Sequence, residues 1–327
     1  MTAEADRRAV VRVGSPTESR NPDSVDLDLM STRDVVRVIN DADRTVPTAV
    51  AAVLDEIAAT VDLAVAAIRS GCRVHYFGAG TSGRLGVLDV AELPPTFNSP
   101  EDWFCAHLAG GQNAVFRPVE DAEDKEEGGA REAVECVRPG DLVLGLAASG
   151  RTPYVLGALR AARAAGAGTV LVTADPDAAA ATGVDVFIAV DTGPEVVTGS
   201  TRMKAATAQK LVLNAFSTAV MVRLGRVYSN LMIDIVATNA KLRGRMISIL
   251  EEATGYGEEA CRQALAATDG DLKVALVALV SGASVADARG RSGPPTVWSA
   301  AHSPCFRGIP GIVDSVRVSC PAGPDRL

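Results

Sequence analysis

Apolar residues along the chain alternate between short continuous runs and longer stretches with helical spacing. The short runs lie at 73–77, 142–146, 169–173 and 185–190, with another candidate at 103–108. Helical spacing occupies the segments between them, at 84–92, 111–120, 125–136 and 153–165. Continuous apolar strands separated by helices are typical of strands buried on both faces. The pattern therefore predicts an α/β fold with a doubly wound, mostly parallel sheet.

Other helical patterns lie on both sides of this alternation. Ser31 and Asp34 form a capping-box shape ahead of a helix to about residue 43. Apolar spacing predicts further helices over 47–69 and 201–224, and three or four short ones within 240–288. Six prolines and no periodicity mark the end of the chain. We therefore predict an N-terminal arm and helix (1–45), a main domain (46–236), a small all-α domain (237–289) and a disordered or atypical tail (290–327).

Composition narrows the class of protein. Lys and Arg total 32 against 40 Asp and Glu, a net charge of −8, which argues against nucleic acid as the main partner. Residues 1–15 lack the apolar core of a signal peptide, and no stretch approaches a membrane span. The six cysteines are scattered without a C-x-x-C pair. We expect a reduced cytoplasmic protein without structural zinc.

Two loops share one sequence pattern. Residues 74–84 read VHYFGAGTSGR and residues 142–152 read LVLGLAASGRT, an apolar run followed by Gly, Ala, Ser and Thr and then a helix. Such loops bring backbone N–H groups and hydroxyls to an anion at a helix N-terminus. A single Gly/Ser turn is more often structural, and the lone G-x-G-x-x-G match is weak. The pairing favours a phosphorylated ligand, with Thr81, Ser82, Gly83, Ser149, Gly150 and Thr152 as candidates.

Two carboxylates follow the first loop. Glu92 lies at the end of the predicted helix, just before Pro94-Pro95, which we expect to force the chain out of the helix. Glu123 lies in the acidic run VEDAEDKEE. The alternatives are a helix-terminal acid for Glu92 and a solvated charged face for the acidic run. From the residues alone, both alternatives stay open.

A third group lies in GPEVVTGSTRMKAATAQK, residues 193–210. Glu195 precedes a Thr-Gly-Ser-Thr cap that includes Ser200 and Thr201. Arg202 and Lys204 start the helix, where cations oppose the dipole unless they face an anion. The alternative is a solvent-facing pair on an ordinary helix start. The three histidines, at 75, 107 and 302, do not cluster with a Ser or Cys nucleophile, which argues against triad chemistry and metal hydrolysis.

At these motifs the chain resembles a known family. GAGTSGRLGVLDVAELPPTF, VEDAED, AASGRTPYVLGAL, GPEVVTGSTRMKAATAQKLVLNAFST and VYSNLMIDIVATNAKL resemble the N-acetylmuramic acid 6-phosphate etherases of the sugar-isomerase (SIS) superfamily. The similarity runs from about Thr17 to about Arg289, and its last part resembles a ubiquitin-associated-type bundle. The resemblance implies a flavodoxin-like three-layer SIS domain, a cytoplasmic homodimer and no metal or organic cofactor.

The resemblance also implies an activity and a set of residues. Family members are lyases that cleave the D-lactyl ether of N-acetylmuramic acid 6-phosphate, giving N-acetylglucosamine 6-phosphate and D-lactate during cell-wall recycling. The acid/base glutamates match Glu92 and Glu123. The phosphate-holding hydroxyls match Ser82, Ser149 and Thr152, with Thr81 adjacent. A non-catalytic sugar-phosphate regulator and an aldose–ketose isomerase of the same superfamily are the alternatives.

Some positions depart from the family pattern. Leu93 stands where Cys is usual, Ala206 where Gly is usual, and Ala147 where relatives often carry a hydroxyl. Because neither Leu93 nor Ala206 carries a proton in the reaction, we expect tuning at most from them. At Ala147 we expect fewer side-chain donors to the phosphate. The segment after about Arg289 matches nothing in the family.

Overall fold

The computed structural model describes residues 14–181, 183–237 and 240–292. Residues 1–13 of the predicted arm and residues 293–327 of the predicted tail lie outside the described residues. The chain divides into two compact units, one ending at Leu224 and the other beginning at Gly225. This division falls ahead of the boundary predicted at residue 236.

A five-stranded parallel sheet forms the centre of the first unit. The strands are β1 (Val74–Gly78), β2 (Phe104–Leu108), β3 (Leu142–Leu146), β4 (Gly168–Thr173) and β5 (Val186–Ala189), in the order β2-β1-β3-β4-β5. The helices are α1 (Thr32–Asp43), α2 (Val46–Ala51), α3 (Leu54–Arg69), α4 (Gly80–Phe97), α5 (Asn113–Phe116), α6 (Glu126–Cys136), α7 (Pro153–Ala164) and α8 (Lys204–Arg223). The predicted α/β fold with a parallel sheet is confirmed.

The strand order places the loops that matter for function. The chain adds β2 on one side of β1 and β3 on the other, so the order reverses between β1 and β3. Every residue of β1 and of β3 is buried. Ligands of open parallel sheets bind beyond the carboxyl ends of the strands at such a reversal. Both glycine-containing loops leave the sheet at this point.

The double proline does not end its helix, and this prediction was wrong. Pro94 and Pro95 lie inside α4, which continues to Phe97 and ends at Asn98 in the left-handed region (φ 49°). A proline removes one N–H donor to the preceding turn, but its carbonyl still accepts. The Asn98 N–H donates to the Pro94 carbonyl (2.8 Å), so the last turn closes after the prolines.

Two other helices differ from the pattern. The helix predicted over 47–69 is broken into α2 and α3. The apolar spacing continues across the break, and Val50 and Val53 on either side of it are both buried. The helix predicted over 111–120 is reduced to α5. An irregular acidic loop replaces the rest of it, and that loop carries Glu123.

The second unit is a small helical domain with its own core. A two-stranded hairpin, β6 (Val227–Tyr228) with β7 (Leu231–Met232), precedes α9 (Ala240–Thr254), α10 (Glu258–Ala267), α11 (Leu272–Ser281) and α12 (Val285–Arg291). Its core contains Ile233, Met246, Leu250, Cys261 and Leu276. The four helices agree with the predicted number, while the hairpin was not anticipated because two-residue strands leave no pattern.

Candidate functional site

A cleft of about 560 Å³ opens at the carboxyl ends of β1 and β3. Both sequence-predicted loops contribute to it, through residues 79–82, 146–149 and 151–153. The cleft is lined by hydroxyl groups of Thr81, Ser82, Ser149, Thr152 and Thr201, and by the carboxylates of Glu18, Glu123 and Asp124. The structure therefore brings five predicted hydroxyl residues together with one predicted glutamate.

The first loop presents the start of α4 to this cleft. Ala79, the residue before the helix, makes no side-chain cap, so the first N–H groups of the helix lack a capping partner. Gly83 does not line the cleft: a Cβ there would lie 2.7 Å from the Gly78 carbonyl oxygen. Gly83 thus allows α4 to begin directly against the end of β1. Thr81 and Ser82 are left facing the cleft.

The second loop presents the start of α7 in the same way. Thr152 precedes the helix without capping it, and Pro153 occupies the first turn. Gly150 adopts φ +66°, which allows the backbone to turn at this point. Like Gly83, it does not line the cleft. Arg151 lines the cleft, but its guanidinium is already paired with the buried carboxylate of Asp175 (3.1 Å). Two uncapped helix starts directed at one cleft form a site suited to a phosphate.

Glu123 is held at the cleft through α7. The Tyr154 N–H donates to the Glu123 carbonyl (3.0 Å), which fixes the backbone of the acidic loop. The Tyr154 hydroxyl donates to Glu132 on α6 (2.6 Å). A Cβ at Gly129 on α6 would overlap the Tyr154 carbonyl, so α6 and α7 approach backbone to backbone. The Glu123 carboxylate itself is exposed.

A partly buried chain of polar contacts continues from Tyr154 across the sheet. Glu132 contacts His107 (3.0 Å), His107 contacts His75 (3.0 Å), and His75 contacts Asp141 (3.2 Å). Burial, with His107 nearby, lowers the pKa of His75 to about 4. Burial acts to raise the pKa of Glu132, but the hydrogen bonds of His107 and Tyr154 outweigh it and the pKa is lowered. Two of the three histidines thus have a structural role behind the site.

The group at 193–210 is mostly internal. Glu195 is fully buried and accepts the N–H groups of Lys204 (3.0 Å) and Ala205 (2.9 Å), so it caps α8. The Lys204 ammonium is buried and donates to the Thr192 carbonyl (2.5 Å). Neither lines the cleft, nor does Ser200, whereas Thr201 does. Glu195 and Lys204 therefore support the loop that carries Thr201.

Glu92 lies away from the cleft of its own chain. It is exposed on α4, twelve residues after Gly80, which is about 18 Å along the axis at 1.5 Å per residue. The cleft begins at the other end of that helix. Within one chain, the structure does not bring Glu92 together with Glu123.

The N-terminal arm supplies residues that sequence reasoning missed. Thr17 and Glu18 line the cleft, and the Gly199 N–H donates to the Thr17 carbonyl (3.0 Å). Ser24 donates to the Val196 carbonyl (2.7 Å) farther along the same segment. The polar, turn-rich composition of the arm gives no signal for contacts with a segment more than 170 residues later in the chain.

Two family models that match the chain agree with this architecture. Residues 56–163 match the glucokinase regulatory protein N-terminal SIS domain, and residues 118–219 match the SIS domain. An N-acetylmuramic acid 6-phosphate etherase of Thermobifida fusca is 60% identical, over 82% of this chain and 88% of that protein. One from Symbiobacterium thermophilum is 52% identical, over 81% and 89%. A phosphoheptose isomerase structure from Francisella tularensis is 16% identical with a TM-score of 0.49, over 59% of this chain and all of that one.

No helix among residues 14–181, 183–237 and 240–292 is long and apolar enough to cross a membrane.

Proposed function

This chain belongs to the N-acetylmuramic acid 6-phosphate etherase family, and on that premise we propose how its cleft performs the reaction. The chain is a lyase that cleaves the D-lactyl ether of N-acetylmuramic acid 6-phosphate to give N-acetylglucosamine 6-phosphate and D-lactate. The observation that carries the proposal is the cleft at the β1/β3 reversal, where two uncapped helix starts lie beside Glu123.

The substrate phosphate occupies the end of the cleft between the two loops. The hydroxyls of Ser82, Ser149 and Thr152 bind it, with Thr81 adjacent, and the starts of α4 and α7 add their partial positive charge. Backbone groups bear part of this binding because Ala147 offers no hydroxyl. The phosphate then fixes the sugar so that its reacting carbons lie along the wall that contains Glu123.

Glu123 acts as the base at C2. In the ring-opened sugar, the C1 aldehyde acidifies the C2 proton, and the Glu123 carboxylate removes it. Glu92 protonates the lactyl oxygen as the C3–O bond breaks, which releases D-lactate and leaves an unsaturated aldehyde. Water adds at C3 with Glu92 accepting its proton, and Glu123 returns a proton to C2. Each such proton transfer contributes on the order of 10²–10⁴-fold to the rate.

Glu92 comes from a second copy of the chain. Its exposed position, about 18 Å along α4 from the cleft, makes it unable to act within its own subunit but available to a neighbour. A twofold dimer would supply each cleft with the partner's Glu92. We place this dimer in the cytoplasm.

The decisive assay supplies N-acetylmuramic acid 6-phosphate and measures D-lactate. We expect lactate from the wild type and a loss of at least about 100-fold in kcat for Glu123→Gln. Deuterium exchange at C2 separates the roles, because Glu123→Gln should stop exchange while Glu92→Gln should retain it. Glu18→Gln is the matched control, a cleft carboxylate without a proton-transfer role.

Two outcomes count against the proposal. A folded wild type that binds the substrate but releases no lactate leaves a sugar-phosphate regulator or an isomerase as the function. Wild-type C2 exchange in Glu123→Gln means that Glu123 is not the base.

A further inference from the structure

A second cavity lies beside the phosphate-binding cleft. It has a volume of about 260 Å³ and shares Ala79, Gly80, Glu123 and Asp124 with the first. Glu123 is therefore part of the wall common to both spaces. In the proposed binding mode, with the phosphate in the first cleft and C2 at Glu123, we place the substituent on C3 towards the second cavity.

Arg84 lines the second cavity. Its Nε donates to the carbonyls of Ala114 and Val115, both at 3.0 Å, at the end of α5. Among the residues that the structure describes, its two terminal nitrogens have no hydrogen-bond or ion-pair partner. The guanidinium is thus anchored through one nitrogen, and two donors remain for a ligand.

Within the described part of the chain, the Arg84 guanidinium has no ion-pair partner although carboxylates line the same cavity. Four carboxylates line the same cavity, those of Glu120, Asp121, Glu123 and Asp124, and none of them approaches Arg84 within ion-pair distance. Arg84 also lies in the second turn of α4, where a cation gains nothing from the helix dipole. In the first cleft, by contrast, Arg151 is already paired with Asp175.

We propose that Arg84 binds the carboxylate of the substrate's lactyl group and so determines specificity for the ether that is cleaved. This inference rests on the proposed function. A carboxylate entering a space bordered by four others is repelled unless a cation offsets them, and Arg84 is the one cation that the described residues place there. The planar guanidinium matches a carboxylate with two parallel hydrogen bonds.

The test compares two substrates in two enzymes. N-acetylmuramic acid 6-phosphate and its lactyl carboxamide analogue differ only in the group that Arg84 would bind. We expect the wild type to prefer the acid by about 10–100-fold in kcat/KM, since hydrogen bonds to charged groups are the stronger ones. In Arg84→Gln this preference should fall to within about threefold, because the variant slows cleavage of the acid much more than cleavage of the amide.

Arg151→Gln is the matched control, because it removes a guanidinium from the phosphate side. It should slow both substrates equally and leave the preference unchanged. Binding of N-acetylglucosamine 6-phosphate, which lacks the lactyl group, checks that Arg84→Gln is folded. If that variant does not fold, Arg84→Lys replaces it, and we expect an intermediate preference.

If either Arg84 variant loses the same fraction of kcat/KM for both substrates, its preference for the acid is unchanged. That result would overturn the inference and leave Arg84 the role of anchoring α5. Failure of the proposed function looks different, since the wild type would then release no lactate from either substrate.

Discussion

Asp89 is a buried carboxyl on α4, three residues before Glu92. It is 8% exposed and accepts hydrogen bonds from the hydroxyls of Tyr76 (2.9 Å) and Ser217 (3.0 Å). Burial raises the pKa of Asp89 from 3.8 to about 6, against the opposing effect of those two donors. Between these pH values the folded protein holds a proton that the unfolded chain has released. The contribution of Asp89 to the free energy of unfolding therefore decreases as the pH rises from about 4 to 6.

Asp89→Asn removes this titration while keeping the size of the side chain. The free energy of unfolding of the variant, relative to the wild type, should increase between pH 4 and 7 by up to about 3 kcal/mol. Urea unfolding at several pH values measures it. Ser217→Ala should give the opposite change, because loss of a donor to the carboxylate raises the pKa further. Parallel stability curves for Asp89→Asn and the wild type would contradict the argument.

Residue types made the loop hydroxyls candidates because two Gly/Ser/Thr loops after buried strands favour a phosphorylated ligand, whereas the family resemblance selected Glu123 from the acidic run. Residue types did not separate residues that line the cleft from residues that hold it. Glu195 and Lys204 have the composition of an anion site, yet their charged groups are satisfied by backbone N–H and carbonyl groups. The distinction depends on where a side chain points, which a linear pattern does not contain.

The contact between α6 and α7 positions the acidic loop. Gly129→Ala places a methyl group against the Tyr154 carbonyl, and Tyr154 holds the Glu123 backbone. We expect a loss of about 1–3 kcal/mol in the free energy of unfolding. A fall in kcat/KM for lactate release should accompany it, because the acidic loop moves with the helix.

Gly128→Ala is the control one residue earlier on the same helix. A Cβ there meets Lys125 at 3.4 Å, an ordinary contact, so the change should be neutral or stabilise by up to about 1 kcal/mol. Equal stability of the two variants would mean that the helices separate without cost.

The positions of the strands could be predicted from the sequence, whereas the ends of the helices were predicted less well. Buried strands of a parallel sheet need apolar residues on both faces, so their runs are visible in the sequence. The end of α4 was missed because a proline's cost depends on whether later residues still close the turn. The break between α2 and α3 was missed because burial continues through it.

At the scale of the whole molecule, the proposed dimer combines the two glutamates from two chains. Glu92→Gln and Glu123→Gln should each be inactive, yet subunits mixed in equal amounts should recover about a quarter of the wild-type activity. Half of the molecules are then mixed dimers, with one of two sites intact in each. Co-expression with two affinity tags isolates the mixed dimer, and a lactate assay of that doubly tagged dimer should give about half of the wild-type activity.

A second mixture of variant subunits tests which residues belong to the same chain's cleft. Glu123 and Ser149 line the same cleft of one chain, so mixing Glu123→Gln with Ser149→Ala should give no gain. Inactivity of the first mixture as well would contradict a partner's Glu92.

The hydrogen bond from Gly199 to Thr17 joins residues at opposite ends of the first unit, and both segments line the cleft. During synthesis, the cleft is therefore incomplete until residues near Thr201 have left the ribosome, after all five strands exist. A ligand that needs the closed cleft cannot guide the early steps of folding, and it stabilises only the finished unit. Substrate binding thus reports that the whole first unit, from arm to α8, has been assembled.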